Sequence, residues 1–186
     1  MLKRFSLIPN AGIRNQLKNP CFKTILLALF LAVSIQAADI QVYFSPHGGC
    51  TEAIVANLDK ATNMVLVQAY SFTSVPIAKA LVDAEKRGVK VQVILDKSQR
   101  TEKYSEADFL FHAGVPTWID AKYAIAHNKI IIIDGKTVLT DSFNFSKAAE
   151  ESNAENLLVI QDNALAKKYT VNYLEHLKHS EVYQGK

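Results

Sequence analysis

The chain has 186 residues, 49% hydrophobic and 21% charged, with 21 Lys and Arg against 18 Asp and Glu. The first 37 residues hold five of the basic side chains and no acidic one, so the remainder carries 16 against 18, a net charge of about −2. That balance excludes a globally basic nucleic-acid binder, and any phosphate recognition must come from a local cluster.

The leader reads as a secretory signal. Lys3, Arg4, Arg14, Lys18 and Lys23 precede the apolar run TILLALFLAVSI (Thr24 to Ile35), and small residues follow at Ala37 and Ala38. A basic start, a short apolar run and a small-residue exit describe a signal peptide, here residues 1–37, cleaved after Ala37. The product is then periplasmic or secreted, with no stable membrane insertion. The alternative is an uncleaved anchor, although the run falls short of the ~20 residues of a spanning helix. Of the two cysteines only Cys50 lies beyond the leader, which excludes an intrachain disulfide and leaves a buried thiol as the expectation. The histidines are scattered and show no zinc spacing.

IQVYF (Ile40 to Phe44) is expected as a strand, closed by SPHGG, and TEAIVANLDKA (Thr51 to Ala61) as a helix with Thr51 as N-cap. MVLVQAYSF (Met64 to Phe72) reads as a strand buried on both faces. VPIAKALVDAEKRG is a helix with Pro76 near its start and Gly88 as its stop. VKVQVILD (Val89 to Asp96) is a strand, EADFLFHAG (Glu106 to Gly114) a short helix, and VPTWID (Val115 to Asp120) a short strand. This alternation predicts an α/β domain over residues 38–186, with a mixed, largely parallel β-sheet flanked by helices on both faces. IAHNKIIIID, a turn at Gly135-Lys136 and TVLT form a hairpin. ENLLVIQD (Glu155 to Asp162) adds a strand, and ALAKKYTVNYLEHLKH (Ala164 to His179) a final helix.

Strand alternation places His127, Lys129, Ile131 and Ile133 on one face, and Asn128, Ile130, Ile132 and Asp134 on the other. Beyond the turn, Ser142 and Asn144 also share a parity, and the hairpin returns them to the level of His127. An imidazole, an ammonium, a hydroxyl and an amide then converge. The first is a nucleophile or proton carrier near neutral pH; the others donate hydrogen bonds to anionic oxygens. Taken singly, such residues are more often surface or turn-capping groups.

HNKIIIID resembles the H-x-K-x4-D signature of the phospholipase D superfamily, at His127, Lys129 and Asp134. SFNFS (Ser142 to Ser146) resembles its companion segment, and NAENLLVI supplies Glu155 where that family has an acidic partner. FSPHGG and VQAYSF are similar to the small single-motif bacterial endonucleases of the superfamily, and the similarity spans residues 40 to 179. It implies a phospholipase D-like fold and phosphodiester cleavage without metal or other cofactor. His127 would attack phosphorus and form a phosphohistidine, while a second histidine protonates the leaving oxygen and then activates water. Lys129 and Asn144 would hold the non-bridging oxygens, Ser142 would support them, and Glu155 would orient the imidazole. Asp134 has the wrong parity for the site and reads as a structural residue at the turn, pairing with a basic group.

The signature occurs once, and His47, His112, His176 and His179 lack a lysine two residues later. The resemblance therefore implies a homodimer that brings two copies of His127 together. His47, in its glycine-rich loop, either lines the site or sits on a surface turn. The residue before the companion serine is normally glycine in the family; here it is Asp141. Its carboxylate is expected either on the packed side, at the site, or in solvent. Lys97, Arg100 and Lys103 in KSQRTEK lie at a strand end where α/β sites open, and either track a phosphate backbone or form an ordinary solvated loop. Tyr104 and Tyr123 either stack on bases or pack partly buried. The reading is a metal-independent endonuclease acting on nucleic acid, DNA foremost, with RNA as the alternative. Competing readings are a phospholipase D acting on lipid head groups and a binding module impaired by Asp141.

Overall fold

The computed structural model describes residues 38–186; the expected signal peptide lies outside the described residues. Their apolar runs pair into one eight-stranded sheet, built from β1 (Asp39–Phe44), β2 (Met64–Ala69), β3 (Lys90–Asp96), β4 (Thr117–Asp120), β5 (Lys129–Ile133), β6 (Thr137–Asp141), β7 (Asn156–Gln161) and β8 (Glu181–Val182). The strand order is β1-β7-β6-β5-β2-β3-β4-β8. Only β2–β3 and β3–β4 are parallel, and the other five pairings are antiparallel. The expected mixed sheet is present, but it is not largely parallel. Antiparallel pairing predominates because β5, β6 and β7 each run against their neighbours, and β1 and β8 are added antiparallel at the two edges.

Helices cover both faces, as alternation in the strands requires. On one side α1 (Cys50–Leu58), α2 (Val75–Lys86) and α3 (Ala107–His112) bury Val65, Val67, Val91, Val93, Ile131 and Ile133. After a short α4 (Lys147–Glu151), the long α5 (Asn163–Leu177) lays Ala166 and Tyr173 over Leu66, Ile94, Ile130, Ile132 and Val138 on the other side. The four isoleucines of β5 thus divide between two cores, which is why the run is apolar throughout.

Two local expectations shift. Thr51 does not cap α1. Gly49 is the N-cap, with φ 80°, and the Glu150 carboxylate of α4 accepts from the Thr51 N–H at 2.8 Å and the Gly49 N–H at 3.3 Å. A side chain distant in sequence replaces the local cap. In the preceding loop, a Cβ on Gly48 would lie 1.6 Å from the Phe44 carbonyl oxygen, so only glycine fits. Cys50, at the start of α1, is free and fully buried, and burial, aided by Glu150, pushes its thiol up to about 11.

The hairpin turn falls one residue earlier than expected. Asp134 and Gly135 carry φ 53° and 64°, and the Lys136 N–H donates to the Ile133 carbonyl at 3.0 Å. Positive φ at both central residues is what an Asp-Gly hairpin turn supplies. Asp134 ties the turn to the segment before β2 and, among the described residues, pairs with no basic group. Its carboxylate accepts from the backbone N–H groups of Thr62, Asn63 and Met64 at 2.8–3.0 Å and from the Thr62 hydroxyl at 2.9 Å. Burial opposes its ionisation, yet those hydrogen bonds outweigh burial and hold the carboxyl below its ordinary value. Asp134→Ala is expected to cost about 2 kcal/mol in urea unfolding. Because the folded pKa is depressed, that contribution is fully present above the unfolded value of about 4 and disappears as pH falls through the folded one. The gap between wild type and variant should therefore narrow in acid.

Candidate active site

Lys129 opens β5 opposite Ala69 of β2 and is 5% exposed. The strand starts there, so His127 precedes it and is exposed. The two remain together. Lys129 Nζ donates to the His127 carbonyl at 2.9 Å and lies 3.1 and 3.0 Å from ring nitrogens Nδ1 and Nε2. An ammonium nearly equidistant from both nitrogens rests against the ring as a whole. Tyr70, tied by its N–H to the Asn128 carbonyl at 2.9 Å, brings its ring to 4.6 Å from the imidazole and 5.1 Å from Lys129 Nζ. Tyr70 was given no role from sequence; its place in VQAYSF, just past a buried strand end, was the available signal.

The companion segment leaves β6 with Phe143 and Phe145 anchored in the core, each 1% exposed. That alternation turns Ser142 and Asn144 outward. Ser142 Oγ donates to Asn156 Oδ1 and accepts from the Asn156 N–H, both at 3.0 Å. The Asn144 N–H donates to Glu155 Oε2 at 2.6 Å, and Asn153 Nδ2 to Glu155 Oε1 at 2.8 Å. These are the hydrogen bonds of the Glu155 carboxylate among the described residues, and neither goes to the His127 ring. Asn144 Oδ1 is buried without a hydrogen-bond partner among the described residues, which leaves the amide NH2 as the group available to an incoming oxygen.

His127, Lys129, Asp141, Ser142, Asn144 and Glu155 together line an open cleft of about 500 Å³. Asp141 therefore belongs to the site: it is exposed on the cleft, its carboxylate accepts from Asn156 Nδ2, and its φ is 134°. The backbone angle explains why glycine suits this position.

Other sequence candidates lie elsewhere. Asp134 follows the opposite end of β5 from His127. Lys97 and Arg100 lie in a 3-10 turn after β3, where Lys97 donates to the Tyr123 carbonyl at 3.1 Å and Arg100 pairs with Glu181 of β8. Lys103 sits over the Tyr104 ring at 5.1 Å. These three cations do not line the cleft, and the first two are engaged in holding loops. His47, with φ 60°, does not line it either. The histidines are less scattered than their spacing suggests, since His176 and His179 meet Asp120, none of the three being among the residues that line the cleft.

Burial disfavours the charged Lys129 ammonium and lowers its pKa, with the Glu155 carboxylate partly offsetting this. Lys129→Met should remove that cost, raising Tm by roughly 2–4 °C. The folded pKa is depressed, so the cost shrinks as pH rises toward 10.5, and the Tm difference should shrink with it. With the role that the resemblance implies for Lys129, hydrolysis of a phosphodiester should fall by about 10²–10³-fold. Thermal melts across pH and a phosphodiesterase assay check the two halves.

Residues 54–177 match the family model described as "Cardiolipin synthase, PLD-like domain". A phospholipase D of Rickettsia conorii is 42% identical over 140 residues, covering 75% of this chain and 70% of that protein. Nuc from Salmonella typhimurium, described as a phospholipase D family member, matches with a TM-score of 0.77 at 36% identity, over 80% of this chain and 100% of that one. NucT from Helicobacter pylori matches with a TM-score of 0.72 at 28% identity, over 79% and 100% respectively. A shared fold over those whole structures, and the His-Lys run at the mouth of the cleft, lead to one assignment: the chain belongs to the phospholipase D superfamily of phosphodiesterases.

Proposed function

We propose that the protein is an exported, metal-independent endonuclease that cleaves nucleic acid, DNA foremost, through a phosphohistidine at a site completed by a second copy of the chain. The observation that carries this reading is the gathering of His127, Lys129, Ser142, Asn144 and Glu155 in one cleft. A His127 nitrogen attacks phosphorus, and the P–O bond to the leaving strand breaks as the partner's His127 protonates that oxygen. The partner's imidazole then takes a proton from water, whose oxygen displaces His127 and frees the phosphorylated end. Lys129 and the Asn144 amide receive the non-bridging oxygens as charge builds on them. Ser142, tied to Asn156, braces that segment, and Glu155 orients an imidazole across the cleft.

Among the described residues the cleft is lined by one histidine, His127, which supports the need for a partner. A covering surface adjoins it. On edge strand β1, Ile40, Val42 and Phe44 are 57%, 49% and 63% exposed, and Phe44 pairs with Asn156, the residue that holds Ser142 and Asp141. Such an apolar row suits a second copy. Full-length matches to Nuc and NucT favour nucleic acid. The name of the Rickettsia relative favours a second reading, phospholipase D activity on lipid head groups. Export rests on the leader; no helix among the described residues is long and apolar enough to cross a membrane. The test is plasmid nicking in EDTA beside head-group release from phospholipid vesicles. Release without nicking selects the lipid reading.

A further inference from the structure

We infer that Asp120, His176 and His179 form a transition-metal site, zinc in the first instance, separate from the catalytic cleft. Asp120 ends β4 and its side chain is fully buried, while His176 and His179 converge on it from the C-terminal end of α5 with side chains 13% and 20% exposed. His176 Nδ1 lies 2.7 Å from Asp120 Oδ2, and His179 Nε2 lies 3.3 Å from both carboxylate oxygens. One ligand atom from each residue falls within 4.8 Å of the other two. Bonds of about 2.0–2.2 Å to a tetrahedral zinc put neighbouring ligand atoms roughly 3.3 Å apart; the His179–Asp120 separation already has that value, and the 2.7 Å His176–Asp120 contact opens onto a metal through side-chain rotation.

The surroundings fit a built site. The Lys122 N–H donates to Asp120 Oδ1 at 3.1 Å, which orients the carboxylate from behind, as supporting hydrogen bonds do around metal ligands. The Tyr123 ring stands 5.3 Å from the His176 ring and 5.5 Å from the His179 ring, screening both. Two imidazoles and one carboxylate suit zinc and leave a fourth corner for water. The chain runs on from Asp120 through Tyr123 to His127. The loop from Asp120 is held by Lys97 at the Tyr123 carbonyl and by Asp96 Oδ2 at the Ala126 N–H, 2.7 Å away. Metal at this point would pin the end of α5 to β4 and stiffen the segment that leads to the nucleophile. It takes no part in the proposed hydrolysis and does not depend on that reading.

The test uses purified chain without a polyhistidine tag, stripped with chelator and titrated with Zn²⁺ alone, then with Co²⁺ as a spectroscopic probe. The expected result is one zinc per chain, a Tm increase of about 5 °C at saturation, and a visible Co²⁺ spectrum of tetrahedral N/O type. His176→Asn and His179→Gln should each weaken binding by about a hundredfold or more, whereas His112→Ala and His127→Ala should leave it unchanged. The absence of stoichiometric zinc binding overturns the proposal, as does binding that survives both ligand substitutions or disappears with His127→Ala. Should a substituted chain fail to fold, the Co²⁺ spectrum of wild type decides, since an octahedral spectrum also overturns the site. Nicking in EDTA reports separately on the catalytic reading.

Discussion

Replacing His127 with alanine is expected to lower plasmid nicking in EDTA by about 10⁴-fold or more, with Tm essentially unchanged. The magnitude follows from losing the nucleophile and, in a dimer, the general acid, since each site would use one copy of the residue in each role. The fold should tolerate the change because His127 is exposed and precedes β5, so no core contact is lost. Its removal leaves Lys129 Nζ bonded to the carbonyl of residue 127, which any side chain supplies. A radiolabelled phosphodiester should also leave a covalent adduct on wild type that is stable in alkali, labile in acid and absent from the variant. Nicking that persists in His127→Ala would assign the chemistry to another group.

Asp141→Gly is expected to raise kcat/KM by about 10–100-fold and to stabilise the fold by about 1 kcal/mol. Two separate costs are removed. The Asp141 carboxylate shares the cleft with the groups expected to receive a phosphodiester. At ~5 Å and an effective dielectric near 20 its repulsion of one negative charge is roughly 3 kcal/mol, about a hundredfold, with screening by salt accounting for the lower end. Its φ of 134° is a backbone state that costs a non-glycine residue about 1–3 kcal/mol, relieved in glycine apart from the entropy of a freer unfolded chain. Asp141→Asn separates the two, because it removes the charge and keeps the strain: the rate should rise and the stability should not. A silent parent whose nicking appears in Asp141→Gly would mean that the site is assembled but obstructed. Equal rates for wild type, Asn and Gly at low salt would show that the carboxylate does not face the substrate.

Much of the site was readable from alternation alone. A strand whose isoleucines are buried on both sides fixes which way Lys129 points, and Phe143 and Phe145 fix Ser142 and Asn144 in the same way, because successive strand side chains face opposite directions. The motif resemblance then implied a chemical role for each group. Four of the five helices and most strand bounds followed from periodicity and their stop signals, whereas the short α4 and β8 did not. What local pattern could not hold was which surfaces meet. The antiparallel seating of β5 against β2, of β7 against β6 and of β1 and β8 at the edges made the sheet mostly antiparallel, and the capping of α1 came from Glu150, about a hundred residues away. Lys97 and Arg100 looked like free cations until β8 and the Tyr123 loop were seen to occupy them. Asp120 is 56 residues from His176 of α5 and 59 from His179 just beyond it; no spacing rule links them, and only the docking of α5 across the sheet brings them together. Periodicity encodes the faces of each element, because it reflects backbone geometry within a few residues. The pairing of those faces is decided by burial summed over the whole chain, and so it belongs to the tertiary structure.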